Sequence, residues 1–599
     1  MKANLLSRAK LFGAVARSSV APRNRSLVQC FSTNNRCNEE EKRPDFRSQL
    51  FASTTARVAR EKAQQRKFAE ERSKTEGQSV TGQIFLMLSI AAGFWYLGTI
   101  YPRPPPDTST IKLDDAPKIK HNLDKKNLEA AWVDIANAVG KDNVSTEEVE
   151  LTSRSGSDWS SYIPKSGEQA FMVVHPSTTE EVSKIAKICH ERRIPLTAYS
   201  GGTSLEGHFT PTRGGICIDF GRMDNIIKIN KDDMDVVVQP AVGYQDLNEE
   251  LAKVNLFFPP DPGPGAMIGG MVGTGCSGTN AYRYGTMKEW VLSLTVVLAD
   301  GTIVKTRQRP RKSSAGYDLT RMFIGSEGTL GLVTEATLKL TTAPQNPTVA
   351  VASFPNIGAA AECVYKVVGN GVPIAAVELL DDEQMACIND AGVTSKKWKV
   401  APTLFFKFTG TQSGVKEQIA IVQKLAKSEG SKSFEFAKNK EEADELWSAR
   451  KEALWSVMAK RRDAADHVWT TDVAVPISKL PEIIERTRAD MDKSGLYGTV
   501  LGHVGDGNFH AIILFNEKER DTAEGVVHRM VKSAVELEGT VTGEHGVGMV
   551  KRDYLDHELS PSTVDLMRKL KFALDPLCLL NCDKVVRVAS AKSGEIKPW

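Results

Sequence analysis

Three histidines and one glutamate near the C-terminal end carry the densest chemistry in the chain. His503-Val-Gly-Asp-Gly-Asn-Phe-His510 sets two imidazoles seven residues apart around a Gly-Asp-Gly turn, and Glu544-His545-Gly-Val-Gly548 follows. The Gly-Asp-Gly turn between them does not continue a helix, but a bent strand brings both rings to one point. With the Glu544 carboxylate they make two nitrogens and one oxygen, a ligand set for a divalent metal, zinc or manganese, with positions left open for substrate. His545 beside them is available as a general base. His121, His190, His467, His528 and His557 lack such neighbours and read as surface or core residues.

A second group of residues suits an anionic ligand. Ser200-Gly201-Gly202-Thr203-Ser204 ends a strand-like run in two glycines and three hydroxyls, a backbone nest for phosphate or pyrophosphate. Pro259 to Gly265 leads into Ile268-Gly-Gly-Met-Val-Gly-Thr-Gly-Cys-Ser-Gly-Thr-Asn-Ala281, and Ile324-Gly-Ser-Glu-Gly-Thr-Leu-Gly331 comes later. Glycine at this density between strands implies backbone lying flat against a large ligand. No GxGxxG follows a strand and no GxxxxGK[ST] occurs, so neither a Rossmann nicotinamide site nor a P-loop is supported.

The elements that must position these groups alternate β-branched runs with helical stretches, which indicates a mixed α and β protein. Phe171-Met-Val-Val-His-Pro176 predicts a strand, Ser177 with Glu180 marks a helix start, and Pro195 to Tyr199 predicts the next strand. Leu332 to Leu340 predicts another after the third glycine-rich segment.

These three segments, in this order and spacing, resemble the FAD-binding domain of the vanillyl-alcohol oxidase and p-cresol methylhydroxylase superfamily over roughly residues 165 to 345. The resemblance implies an α+β fold: a two-subdomain FAD-binding domain of the p-cresol methylhydroxylase type plus an α+β cap domain. It implies that Ser200, Gly201, Gly202, Thr203 and Ser204 hold the FAD pyrophosphate and that Pro262, Gly270, Thr274, Ser277, Gly278 and Ala281 line the flavin. Glu327 and Val333 would lie near the adenosine half. Members that attach FAD covalently carry a His where Thr203 stands, so the FAD is expected to be non-covalent.

The C-terminal pattern resembles the D-2-hydroxy-acid dehydrogenase branch of that superfamily, which includes D-lactate, D-2-hydroxyglutarate and glycolate dehydrogenases. The similarity implies His503, His510 and Glu544 as metal ligands, His545 as the catalytic base and Arg450, in Leu446-Trp-Ser-Ala-Arg450, as the carboxylate-binding residue. The D-2-hydroxyglutarate enzymes carry Lys where this chain has Thr470, which favours a smaller monoacid. The expected reaction is FAD-dependent oxidation of D-lactate to pyruvate. Glycolate or another D-2-hydroxy acid, or a membrane-anchored flavin- or metal-binding scaffold without turnover, are the alternatives.

The N-terminal part reads as address and anchor. Met1 to Arg36 has no acidic residue while Lys2, Arg8, Lys10, Arg17, Arg23, Arg25 and Arg36 are spread among Ser, Ala and Leu, the composition of a mitochondrial transit peptide. Ile84 to Tyr101 carries no charge and as a helix would span about 27 Å, close to a bilayer core. Arg57, Arg60, Lys62, Arg66, Lys67, Arg72 and Lys74 precede it, which by the positive-inside rule puts the following chain in the intermembrane space of a mitochondrial inner membrane. There is no haem or iron-sulfur cysteine pattern among the nine cysteines, so reduced flavin needs an external acceptor, cytochrome c by resemblance and topology. A net charge of +3 over 599 residues excludes nucleic acid as an expected partner.

The expected organisation is a transit peptide over 1–37, a charged matrix-side segment over 38–83, a transmembrane helix over 84–101 and a linker over 102–130. An FAD-binding domain over 131–345, a cap, substrate and metal domain over 346–555 and a segment returning to the FAD domain over 556–599 follow.

Overall fold

The computed structural model describes residues 46–73, 80–100, 108–392, 394–591, 595–596 and 598–599. The segment read as a transit peptide lies outside the described residues. The chain divides into two units, Met1–Pro104 and Pro105–Trp599.

In the first unit, Phe46–Ser73 and Val80–Ile100 are helices. The second contains an apolar stretch, Thr81–Thr99, long enough to cross a membrane, with none of it buried. The charged first helix has the i,i+4 pair Arg57–Glu61 at 3.3 Å on its exposed surface.

The second unit begins with an alternation of strands and helices. Met172–Val174 and Leu196–Tyr199 flank Ile216–Asp219 as parallel neighbours, with Val144–Ser145 added antiparallel at the edge. Parallel pairing needs a crossover, and the helix Thr179–Arg192 supplies it. Its Val182, Ile185, Ala186 and Cys189 recur at helical spacing and are buried against the sheet. Its cap falls one residue later than the sequence predicts: Thr178 accepts from Glu181 N at 3.2 Å, and Glu181 reaches back to Ser177 N at 2.7 Å. A five-stranded antiparallel sheet follows, in the order Ile226–Asn230, Asp235–Val238, Leu332–Lys339, Val291–Val297, Ile303–Lys305.

Residues 346 onward build an eight-stranded antiparallel sheet among the described residues. Its strands obey a strict two-residue period. In Thr403–Phe408, Leu404, Phe406 and Phe408 enter the core under the helices Ile357–Gly369, Gln412–Ser428 and Leu480–Ser494, while Phe405 packs on the opposite face against Trp447 and Leu446. That second face carries the functional groups of this half.

The C-terminal helix Pro561–Leu574 leads back to the first sheet, where Leu196 N donates to Leu579 O and Asn581 N to Leu196 O, both at 2.8 Å. Part of the stretch expected as linker is tied down: Ile111 N donates to Asp565 O at 3.1 Å and His121 Nε2 lies 3.0 Å from Cys578 O.

Candidate active site

The two histidines of the predicted ligand set meet across a hairpin rather than along a bent strand. Tyr497–Gly502 and Asn508–Phe515 pair antiparallel, joined by a 3-10 turn at Val504–Asp506. Gly507 closes the turn at φ +75°, and a Cβ there would stand 2.2 Å from Val475 O, so only glycine fits. Leu501 is the register partner of His510, which places His503, two residues past Leu501, beside it. Their rings meet edge to face at 5.6 Å.

Glu544 Oε1 lies 2.9 Å from His503 Nε2 and 3.4 Å from His510 Nε2, while Glu544 Oε2 accepts from Ser277 Oγ at 2.6 Å. The other nitrogen of each ring is committed outward: His503 Nδ1 is 2.9 Å from Glu378 Oε1, and His510 Nδ1 is 2.9 Å from Thr471 O. Carboxylate and carbonyl partners of this kind make Nδ1 the donor and aim both Nε2 atoms at the Glu544 carboxylate. Burial pushes the His503 imidazole down, but the Glu378 and Glu544 carboxylates outweigh it and hold it well above its ordinary value. Burial raises Glu544, yet His503 and His510 hold it well below. The ligand atoms of His503, His510 and Glu544 all lie within 4.8 Å of one another, a donor set of two imidazole nitrogens and a carboxylate oxygen that fits a divalent cation.

Glu378, buried beneath His503, also accepts from Arg450 Nε at 2.8 Å. Arg450 sits near the end of the helix Lys440–Lys451, and the same carboxylate contacts both its guanidinium and the His503 ring. His545 stacks on His510 with centroids 4.9 Å apart and planes 7° from parallel. Asp472 accepts from Glu544 N and His545 N at 2.9 Å each and from Asn508 Nδ2 at 2.7 Å. Burial would raise this carboxyl, but Lys551 and the histidines around it hold it far below the carboxylate range.

One cavity of about 560 Å³ joins this cluster to the glycine-rich segments. Ser200, Gly201, Gly202, Thr203, Ser204, Pro262, Gly270, Thr274, Gly278, Glu327 and Val333 line it, as do Arg450, Thr470, His503, His510, Glu544 and His545. A Cβ on Gly201 would stand 2.7 Å from Gly265 O, so the loops that bound the cavity approach as closely as bare backbone allows. Ser277 and Ala281 are not in the lining. Ser277 instead reaches Glu544, and Ala281 opens the short helix Ala281–Tyr284. Glu327 does more than border the cavity: its carboxylate accepts from Gly548 N at 2.8 Å and from Val547 N, clasping the segment that carries His545.

Glu378, Asp472, Glu206, His208 and Lys551 belong to the site but had no motif to announce them. Glu378 had one weak signal, an acidic residue inside the apolar run Ala376–Leu380. A second group of metal-capable residues, Glu150, His175 and Asp219, also converges. There Arg154 Nε already sits 2.7 Å from Asp219 Oδ2 and supplies the positive charge.

Residues 170–307 match a family described as an FAD binding domain, and residues 343–585 match the FAD linked oxidases, C-terminal domain. The chain is 48% identical over 491 residues to a D-lactate dehydrogenase [cytochrome], mitochondrial, of Kluyveromyces lactis, covering 80% of this chain and 85% of that protein. It is 46% identical to D-lactate dehydrogenase [cytochrome] 1, mitochondrial, of Saccharomyces cerevisiae, over 80% of this chain and 84% of the relative. Among solved structures, a 4-ethylphenol oxidase of Gulosibacter chungangensis superposes with a TM-score of 0.65 at 18% identity, covering 78% of this chain and 99% of that one. A p-cresol methylhydroxylase superposes with the same TM-score and identity, covering 78% and 98%. At such identity the likeness is one of fold.

Proposed function

Because this chain belongs to the FAD-linked oxidase family of the mitochondrial cytochrome-dependent D-lactate dehydrogenases, we propose that it oxidises D-lactate to pyruvate and passes the electrons to cytochrome c. The observation that carries the reading is the single cavity in which Gly-rich backbone, Arg450, the His503, His510 and Glu544 cluster and His545 face one space.

FAD, held non-covalently by the loop Ser200–Ser204 and the segments at Pro262, Gly270, Thr274, Gly278, Glu327 and Val333, supplies the hydride acceptor. His503, His510 and Glu544 would hold a divalent cation, zinc or manganese, which would supply Lewis acidity. Arg450 takes the substrate carboxylate through its planar fork and is itself held by Glu378, so the acid enters in one orientation. His545 accepts the hydroxyl proton as the C2 hydride leaves, and the 2-keto acid results. Thr470, buried on the cavity wall, offers a hydroxyl and no charge, which suits a methyl group better than a second carboxylate.

Anaerobic mixing of the holoenzyme with D- and L-lactate, followed by flavin absorbance, tests the reading. Bleaching is expected with the D isomer only, and acid is expected to release the flavin. His545→Ala and Arg450→Ala are each expected to slow bleaching by about 100-fold or more with FAD retained. A near-normal rate in either variant removes its role.

The apolar helix supports anchoring to the mitochondrial inner membrane, and the basic residues before it support a catalytic unit facing the intermembrane space, where cytochrome c is met.

A further inference from the structure

The base has two ring nitrogens, and only one can take a proton from substrate. His545 Nδ1 is sealed from solvent and faces Glu206 Oε1 at 3.4 Å. Glu206 is completely buried, and its Oε2 lacks a hydrogen-bond partner. It stands on the loop that follows Ser204, so it comes from the FAD-binding half, while His545 comes from the other. The two loops are locked face to face: Met549 N donates to Glu206 O at 2.8 Å, and a Cβ on Gly548 would stand 2.1 Å from that oxygen.

We propose that Glu206 is the positioning residue for the base: it accepts the Nδ1 proton of His545, fixing the tautomer that leaves Nε2 free to take the hydroxyl proton. A buried carboxylate at the inner nitrogen of a base is the arrangement that orients imidazoles in acyl-transfer enzymes. Lys551 keeps Glu206 charged, with Nζ 3.1 Å from Glu206 Oε1 and 3.3 Å from Asp472 Oδ2. Two carboxylates thus share one ammonium, and the excess negative charge stands where His545 becomes positive. As the reaction runs, the hydroxyl proton goes to Nε2, the C2 hydride goes to FAD, and the Nδ1 proton stays between ring and carboxylate.

This assignment rests on His545 being the base. A structural alternative makes Glu206 only the counter-ion of buried Lys551, and the two roles separate in the variants Glu206→Gln and Glu206→Gln with Lys551→Met. The double variant removes both charges, while Asp472 keeps its backbone donors. In FAD-loaded protein, anaerobic bleaching by D-lactate is expected to fall by about 100-fold in both variants, with little change in the D-lactate concentration giving half the maximal rate. The solvent deuterium isotope effect on bleaching is expected to rise, because proton transfer becomes slower, and Glu206→Asp is expected to recover part of the rate. A rate within about threefold of wild type in Glu206→Gln, or its recovery in the double variant, would overturn the proposal. So would loss of FAD from all three variants. If His545→Ala also bleaches normally, the base assignment fails; if His545→Ala is inert and Glu206→Gln is normal, only the pairing fails.

Discussion

Glu378 touches neither face of the proposed reaction directly, yet it holds two of its parts. One oxygen fixes the His503 ring and the other fixes Arg450, so a single buried carboxylate sets the angle between the proposed metal ligand and the proposed substrate clamp. Outer partners of metal-bound histidines typically contribute 10- to 100-fold in metal affinity. Glu378→Gln is therefore expected to lower metal retention by about 10-fold or more on dialysis, read as metal per flavin, and to slow bleaching. Chelation of the wild-type enzyme is expected to silence turnover reversibly; undiminished activity after verified metal loss would remove the cation from the mechanism. The histidines were legible in the chain because they sit in short motifs. Glu378, Asp472 and Glu206 were not, since an isolated acidic residue in the sequence carries no sign of which distant imidazole or amide it will meet.

At the scale of elements, the C-terminal segment works as a strap. Arg213, in the FAD-binding half, donates from Nε and Nη2 to the two oxygens of Asp583 at 2.8 Å each. Burial would raise the Asp583 carboxyl, but the Arg213 fork outweighs it and holds the group at about 2, below its ordinary 3.8. A depressed carboxylate contributes stability that is present above the unfolded value and lost as pH falls through the folded one. The pair is expected to contribute about 2 kcal/mol above pH 4 and to lose it toward pH 2. Denaturant unfolding of wild type and Asp583→Asn across that range checks this: the stability gap should narrow as pH falls, and a constant gap would count against it. The hairpin shows the complementary limit. Its Gly-Asp-Gly turn was readable, but the two strands it joins were expected as one bent strand, and a two-residue period does not say which face meets the cofactor half.

At the scale of the whole molecule, the second unit keeps its own tethers. Ile111, Ala116 and Ile119 pack on Phe572, Cys578, Cys582 and Val588, so the stretch just before Lys125 is part of that unit's fold. A variant beginning at Pro105 is expected to be soluble, to bind FAD and to bleach with D-lactate at the wild-type rate, while the full chain fractionates with membranes. Loss of flavin from the shorter chain would show that the first unit is needed for folding.

The sequence by itself determined the glycine-rich segments, the paired histidine and Glu-His motifs, and the alternation of strands and helices, because glycine density, motif spacing and apolar period are local properties of the chain. Only the tertiary structure decided that Ser277 serves Glu544 instead of lining the cavity and that Glu206 faces His545 across more than 300 residues of chain. Such partnerships depend on which loops two separately folded halves press together, and burial sets that without leaving a pattern in the residues between.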